Sequence, residues 1–460
     1  MAQGRKKGDR QESLWISTAS IPVAAAHPFY QQVNAILAKH GFDKYVDDLA
    51  APFYKDGGRP GIPVGDYVRM MMIGFFEDIQ SERGIAWRVA DSLSLRHFLG
   101  LAVTDATPDH SSLSVIRRRL SPEFHQQAFQ FVLTVLAREG QLRGKTLGID
   151  ATTVEANAAL RELRRKDTGE RYSEYIKRLA KEAGEPAKTM SDAVRFDRKR
   201  KGKKLSNEEW EHPHDPDARV GRDKQGATDM LYKLEKADDL ETGAIVSVTV
   251  QPADTGDTDS VDVTLGQAEI NVSAVRDDPQ VAAKKKKRVA EVSEVVADKG
   301  YHSNEVCASK LLGVRTYISE PRRGQRDWIK KAEERDAVYA NRRRVRGERG
   351  KHLRKLRGEI CERGFAHLCD TGGQRRTFLR GLIDMTKKAL IGAMGFNLAL
   401  LLRKVFGLRK PKQLEGRRGG YLPSPVPVFT PIRHVSRVWA AMLDFSENLT
   451  SRRGCHVTAA

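Results

Sequence analysis

The chain has 460 residues, with 80 Lys and Arg against 60 Asp and Glu, for a formal net charge of +20. Hydrophobic residues make up 40% and charged residues 30%, a globular composition with an added share of charge, and the length suits two or three domains with their own cores. No uninterrupted run of 18 apolar residues occurs, so no membrane span is expected, and Met1–Arg10 lacks the apolar stretch of a secretory signal. Cys307, Cys361, Cys369 and Cys455 include no CxxC pair, which argues against a disulfide framework or a standard zinc site and fits a reducing cytosol. The positive balance points to a polyanionic partner, most often nucleic acid.

Residues 1–140 read as mostly helical. Apolar residues recur at helical spacing over His27–Leu37 and Val64–Ile79, separated by the turn-rich segment Tyr54–Pro63, and Pro63 suits the start of the next helix. Ser81 with Glu82, then Ile85, Val89, Leu93 and Leu95, predict a short helix pair. After the turn Thr107–Ser111 comes Leu113–Leu120, which carries Arg117, Arg118 and Arg119. Helix, turn and basic helix fit either a helix-turn-helix reader of DNA or an ordinary bundle with a solvated basic face.

Beyond Arg143 the pattern changes. Lys145–Val154 has the β-branched content of a strand, and residues 159–222 run so highly charged that they read as a basic helical insertion. Met230–Ala237 and Ala244–Gln251 flank a Gly-containing turn and predict a hairpin. A helix is expected over Asp259–Ile270, a buried strand over Glu294–Asp298, a helix over Asn304–Leu312 and a strand over Val314–Ser319. Residues 321–380 hold 19 basic against 8 acidic residues, and an apolar helix is expected over Ala389–Val405. The order of elements predicts a mixed sheet flanked by helices. The boundaries follow: a helical domain over 1–140, an α/β domain over 141–405 with charged insertions at about 159–222 and 321–357, and a basic, loosely attached tail over 406–460.

Three acids stand where chemistry is expected. Asp150 interrupts the apolar run Leu147–Asp150, and an unpaired carboxylate is costly to bury there. Asp298 ends a strand and is followed by the turn Lys299-Gly300-Tyr301-His302; strand ends are where ligand sites form. Glu362 closes the most basic stretch. Converged carboxylates cannot all stay ionised and unpaired, and two divalent cations resolve that conflict. Such a pair clamps the attacking and leaving oxygens of a phosphodiester. The competing reading is that each acid only caps a neighbouring helix.

The segments Gly148–Asn157, Val296–Ser303 and Glu362–His367 with Thr371–Arg376 resemble, in this order and at these separations, the three catalytic segments of DDE transposases of bacterial insertion sequences. Gly57–Pro63 and Asp109–Leu113 resemble pieces of the helical domain that precedes the catalytic domain in that family. The resemblance implies an RNase H-like fold from about 145 to 400, with Asp150 on the first strand, Asp298 just after the fourth and Glu362 on a following helix. It implies Asp150, Asp298 and Glu362 as catalytic and metal-binding residues, with two Mg²⁺ or Mn²⁺ ions as cofactors. It also implies hydrolysis at transposon ends, then attack of the freed 3′-OH on target DNA. Many relatives carry an Arg four residues before the glutamate and a Lys seven after it; here those positions are Gly358 and Cys369. Glu359 is the rival third acid, nearly on one helical face with Glu362; the run Glu-Arg-x-Phe favours Glu362. Glu155 is set aside, since its odd separation from Asp150 puts it on the other face of the strand.

The expected DNA contacts are Arg117, Arg118, Tyr301, His302, Arg342, Arg343, Arg344, Arg354, Arg357 and Arg363. Phosphate contacts of this kind position without specifying sequence. Cys361, His367 and Cys369 match no zinc spacing and are expected to pack. The partner is double-stranded DNA, as terminal repeats and target, with at least a homodimer acting on it, no membrane, and a bacterial cytoplasm as the setting. The rival readings are a catalytically silent DNA-binding relic or host-recruited derivative, and a stand-alone nuclease or resolvase with the same metal site.

Overall fold

A computed structural model of the chain describes residues 27–411, apart from 56, 58–60, 201–205, 224–225, 285, 309–312, 323 and 325. The tail expected from 406 lies outside the described residues beyond 411, as do parts of the motif at 57–63 and of the basic runs at 198–204 and 284–288.

Among the described residues seven α-helices come first: α1 (Pro28–His40), α2 (Phe42–Ala50), α3 (Val64–Glu77), α4 (Glu82–Ala90), α5 (Leu93–Phe98), α6 (His110–Arg119) and α7 (Pro122–Arg138). Their starts are written in the sequence. Ser81, Ser92, Asp109 and Ser121 each accept a hydrogen bond from a backbone N–H in the first turn, and Pro122 occupies a position where its missing N–H is no loss. Asp109 within Asp-His-Ser-Ser is therefore a helix cap, bonded to Ser111 N at 2.8 Å.

Next come β1 (Thr146–Glu155), the short pair β2 (Arg164–Arg165) and β3 (Trp210–Glu211), and helices α8 (Tyr172–Glu182) and α9 (Met190–Lys199) between them. Strands β4 (Arg219–Arg222), β5 (Thr228–Asp239) and β6 (Ile245–Pro252) precede α10 (Asp257–Arg276) and the short α11 (Pro279–Ala282). The chain continues through β7 (Glu294–Ala297), α12 (Asn304–Ala308), β8 (Arg315–Ile318), α13 (Ala332–Arg346), α14 (Glu348–Phe365) and α15 (Leu382–Phe406). Leaving out the short edge strand β4, the main sheet runs β6-β5-β1-β7-β8, with β6, β5 and β1 antiparallel and β1, β7 and β8 parallel. A helical N-terminal region followed by this mixed sheet with flanking helices is the expected RNase H-like architecture.

Two expectations need correction. The charged segment 159–222 is not wholly an insertion, because Arg219–Arg222 pairs with β5 as a sheet strand; a four-residue charged edge strand carries no alternation to reveal it. The apolar helix begins at Leu382 rather than Ala389. Asp384 and Lys387 hide its first turns, and both are paired in place: Asp384 with Arg117, and Lys387 with Asp384 at 3.6 Å and, as a donor, with Arg117 O at 3.0 Å.

By length and composition α15 is apolar enough to cross a membrane, but 72% of its most apolar stretch is buried inside the protein. It packs on α7, α3 and β6, and the main hydrophobic core extends from Phe29 of α1 to Leu402 of α15, with a second, smaller cluster of Leu240, Val296, Tyr317, Leu353 and Ile360 under α14. Buried asparagines secure both sheet edges. Asn397 of α15 bonds Ile245 N and O at 2.9 Å each, and Asn341 of α13 bonds Ile318 N and O at 3.0 and 2.8 Å.

Candidate active site

The register of two neighbouring strands creates the site. β1 and β7 are parallel, with Leu147 level with Val295 and Gly148 level with Val296. Two residues further along each strand stand Asp150 and Asp298. Even spacing keeps Asp150 on the face of Gly148, and adjacent strands lie about 4.8 Å apart, so the two acids stand at level positions of neighbouring strands, Asp298 just past the end of its own. Asp298 is exposed at the strand end and caps the turn Lys299–Tyr301. Asp150 is about a fifth exposed and accepts from Ala151 N at 3.0 Å.

Helix α14 covers this face. Leu353, Ile360, Cys361 and Gly364 are buried along it, at spacings of three, four and seven. Gly148 allows the approach: a Cβ there would lie 2.5 Å from Leu240 Cδ2, 3.1 Å from Cys361 Sγ and 3.2 Å from Arg357 Cγ. The guanidinium of Arg357 is thereby brought to Asp150 Oδ2 at 3.5 Å and donates to Ile149 O at 3.2 Å. Burial pushes the Cys361 thiol well above its ordinary pKa, which makes it a packing group rather than a thiolate ligand.

Beside Asp150, directly across the antiparallel pair, stands Lys236 of β5. It is fully buried, paired with the buried carboxylate of Asp238, and its ammonium lies 4.4 Å from the centre of the Phe365 ring. Neither buried charge is tolerable without the other. Asp150 thus lies between two cations, Arg357 above and Lys236 alongside.

The third acid is placed differently. Glu362 is exposed on α14, one turn beyond Gly358, where an added Cβ would meet nothing within 4 Å. Counting back in steps of four gives Gly358 and Arg354, and Arg354 donates to Ser319 Oγ at 3.3 Å. Ser319 follows β8 at the end of the sheet where Asp298 follows β7. Glu359 instead pairs with Arg363 at 3.6 Å, with both side chains more than half exposed. Among the described residues no three of His, Cys, Asp or Glu stand close enough together to hold a metal ion. The strand register sets Asp150 and Asp298 at level positions on adjacent strands. The donor chemistry of the adjacent pair, all carboxylate oxygen, suits a hard divalent cation.

The expected DNA contacts divide. Tyr301 and His302 are buried and cannot reach a nucleic acid; Tyr301 donates to the buried Glu235 at 2.8 Å, and its hydroxyl pKa is raised by that burial. Arg117 is turned inward as well, bonded to Glu82 at 2.7 Å and paired with Asp384. Arg342 is held by Glu320 at 2.5 and 2.8 Å, and Arg344 donates to Thr316. Arg357 faces Asp150. Arg118, Arg343, Arg354 and Arg363 are exposed. The residues missed by sequence reading are Lys236, Asp238 and Glu235. Their only signal was the run Lys233-Leu-Glu-Lys-Ala-Asp238 inside a strand otherwise apolar enough to be buried.

Two family models match the chain: a transposase domain (DUF772) over residues 22–119 and a Transposase DDE domain over residues 192–398. The second begins after Asp150 and includes Asp298 and Glu362. No curated protein and no solved structure gives a significant match.

Proposed function

Because the chain belongs with the DDE transposases of insertion sequences, we propose that it binds the terminal inverted repeats of its element, cleaves the DNA there and joins the 3′-OH ends to target DNA. The observation that carries this reading is the level placement of Asp150 and Asp298 on adjacent parallel strands beneath α14. Asp150, Asp298 and Glu362 would hold Mg²⁺ or Mn²⁺. Two such ions, when bound, activate the attacking oxygen and stabilise the leaving one during an in-line displacement.

The chain's own groups do the positioning. Arg357 neutralises Asp150 in the protein alone and is within reach of a phosphate seated over the carboxylates, where a planar guanidinium holds two oxygens at once. The buried Lys236–Asp238 pair keeps the strand beside Asp150 fixed without adding net charge. Arg343 and Arg354, exposed on α13 and α14, are suited to hold the flanking backbone. Glu362 reaches the acids once DNA and cations offset their repulsion. The test is strand transfer with pre-cleaved terminal repeats. Joining of their 3′-OH ends to a supercoiled target supports the proposal. Cleavage without any joining supports the nuclease reading, and binding without either supports the silent relic.

A further inference from the structure

On the face of β5 opposite Lys236 lies a second buried charge system that the proposed chemistry does not use. Glu235 is fully buried and accepts hydrogen bonds from Tyr301 OH at 2.8 Å, Ser260 Oγ at 2.8 Å and Thr264 Oγ1. Lys233 stands beside it, 3.7 Å from Oε1, and also bonds Asp257 at 2.7 Å and Ser260 Oγ at 2.9 Å. A carboxylate removed from water is tolerated only with this many donors and a counter-charge.

The two ends of the network grip one turn. Tyr301 is the third residue after Asp298, and Tyr301 N closes the turn on Asp298 O at 3.2 Å. Gly300 lies against the other end, where any Cβ would collide with Asp257 Oδ2. Lys233 links both ends. Asp298 itself is exposed and leaves the ladder at the end of β7, so its direction depends on the turn that follows it.

We propose that Glu235 is a positioning residue for the reaction: through Tyr301 it fixes the turn that aims Asp298 at the place where Asp150 already points. The proposal rests on Asp298 being a metal-binding residue. It assigns Glu235, Lys233 and Tyr301 to metal affinity although none of them touches the ion or the DNA.

The test is calorimetric titration of Mn²⁺ into the full-length protein, with thermal unfolding measured in parallel. Asp298→Asn should abolish or greatly weaken binding. Tyr301→Phe and Glu235→Gln should each weaken Mn²⁺ binding by about tenfold or more, the range found when supporting partners of ligands are removed. Tyr232→Phe is the control for a purely structural effect. Tyr232 is a buried tyrosine on β5, bonded to the buried Asp215 at 2.6 Å and to Gly381 N at 2.9 Å, away from the Asp298 turn. It should lose comparable stability and keep wild-type Mn²⁺ affinity. Wild-type affinity in Tyr301→Phe and Glu235→Gln overturns the inference. So does weakening in all three variants in proportion to lost stability. Should Tyr301→Phe fail to fold, Glu235→Gln, which preserves volume, decides the matter. If the wild type binds no Mn²⁺, or Asp298→Asn binds it equally well, the metal-site reading itself fails, a result distinct from failure of the positioning role.

Discussion

Gly148 is a point of close approach between the sheet and α14, and Gly148→Ala tests whether that approach shapes the site. The added methyl would sit 2.5 Å from Leu240 Cδ2, and Leu240 and Cys361 are both buried. The Leu240 side chain must shift, and Cys361 and Arg357, at 3.1 and 3.2 Å from the added methyl, must give by a few tenths of an ångström, which lifts α14. Overpacking of this kind costs about 1–3 kcal/mol, partly offset by the lower chain entropy of Ala, roughly 0.5–1 kcal/mol. The net loss of about 1–2 kcal/mol corresponds to a fall of about 1–3 °C in Tm for a chain of this size. The same shift moves Arg357 and Glu362 away from Asp150, and misplacement by about 1 Å lowers catalysis by as much as about 100-fold. Differential scanning fluorimetry and a plasmid cleavage assay read the two effects. Gly266→Ala on α10, where an added Cβ meets nothing within 4 Å, should instead raise stability by up to about 1 kcal/mol. A Gly148→Ala protein with wild-type Tm and cleavage would show that α14 does not depend on the missing side chain at this position.

Other perturbations separate structural charges from functional ones. Lys236→Met strands a buried Asp238 and should cost about 3–5 kcal/mol in a denaturation series, while Lys236→Met with Asp238→Leu should recover most of it. Arg117→Ala should cost about 3 kcal/mol by leaving Glu82 and Asp384 unpaired, with no change in the salt slope of DNA binding. Arg343→Ala or Arg354→Ala should lower that slope by about 0.9 for each phosphate left without its cation, with Tm near wild type. Burial raises Asp66 from 3.8 to about 6, so the folded protein holds its proton more tightly than the unfolded chain does. Stability therefore falls as pH rises from about 4 to 6. Asp66→Asn should raise Tm at pH 7 by an amount that shrinks towards pH 4, and a pH-independent gain would contradict this.

The elements that sequence reading located best are those with one dominant local signal. The β-branched run of β1, the Gly turn between β5 and β6 and the apolar run of β7 each specify themselves. The level placement of Asp150 and Asp298 is different in kind: it is a register between strands 148 residues apart, set by packing rather than by local pattern. Tyr301 and His302 read as DNA contacts because they closely follow a strand-end acid. Tyr301 is instead buried against Glu235, a carboxylate that composition rules place at the surface. Arg117 misled for the same reason, since its partners Glu82 and Asp384 are 35 and 267 residues away. Buried charge pairs on β5 and α6 are thus the part of this protein that local periodicity cannot reveal.

The proposed function stands or falls on Asp150, Asp298 and Glu362 carrying metal-dependent DNA cleavage. The deciding assay uses supercoiled plasmid bearing the terminal repeats, Mg²⁺, and the wild type beside Asp150→Asn, Asp298→Asn, Glu362→Gln and Glu359→Gln. Cleavage at the repeat ends is expected from the wild type and Glu359→Gln, with at least a thousandfold loss (roughly 4 kcal/mol in the barrier) in the other three. Cleavage at the wild-type rate by Asp150→Asn or Asp298→Asn would contradict the assignment, and loss with Glu359→Gln but not Glu362→Gln would move the third acid one turn back along α14.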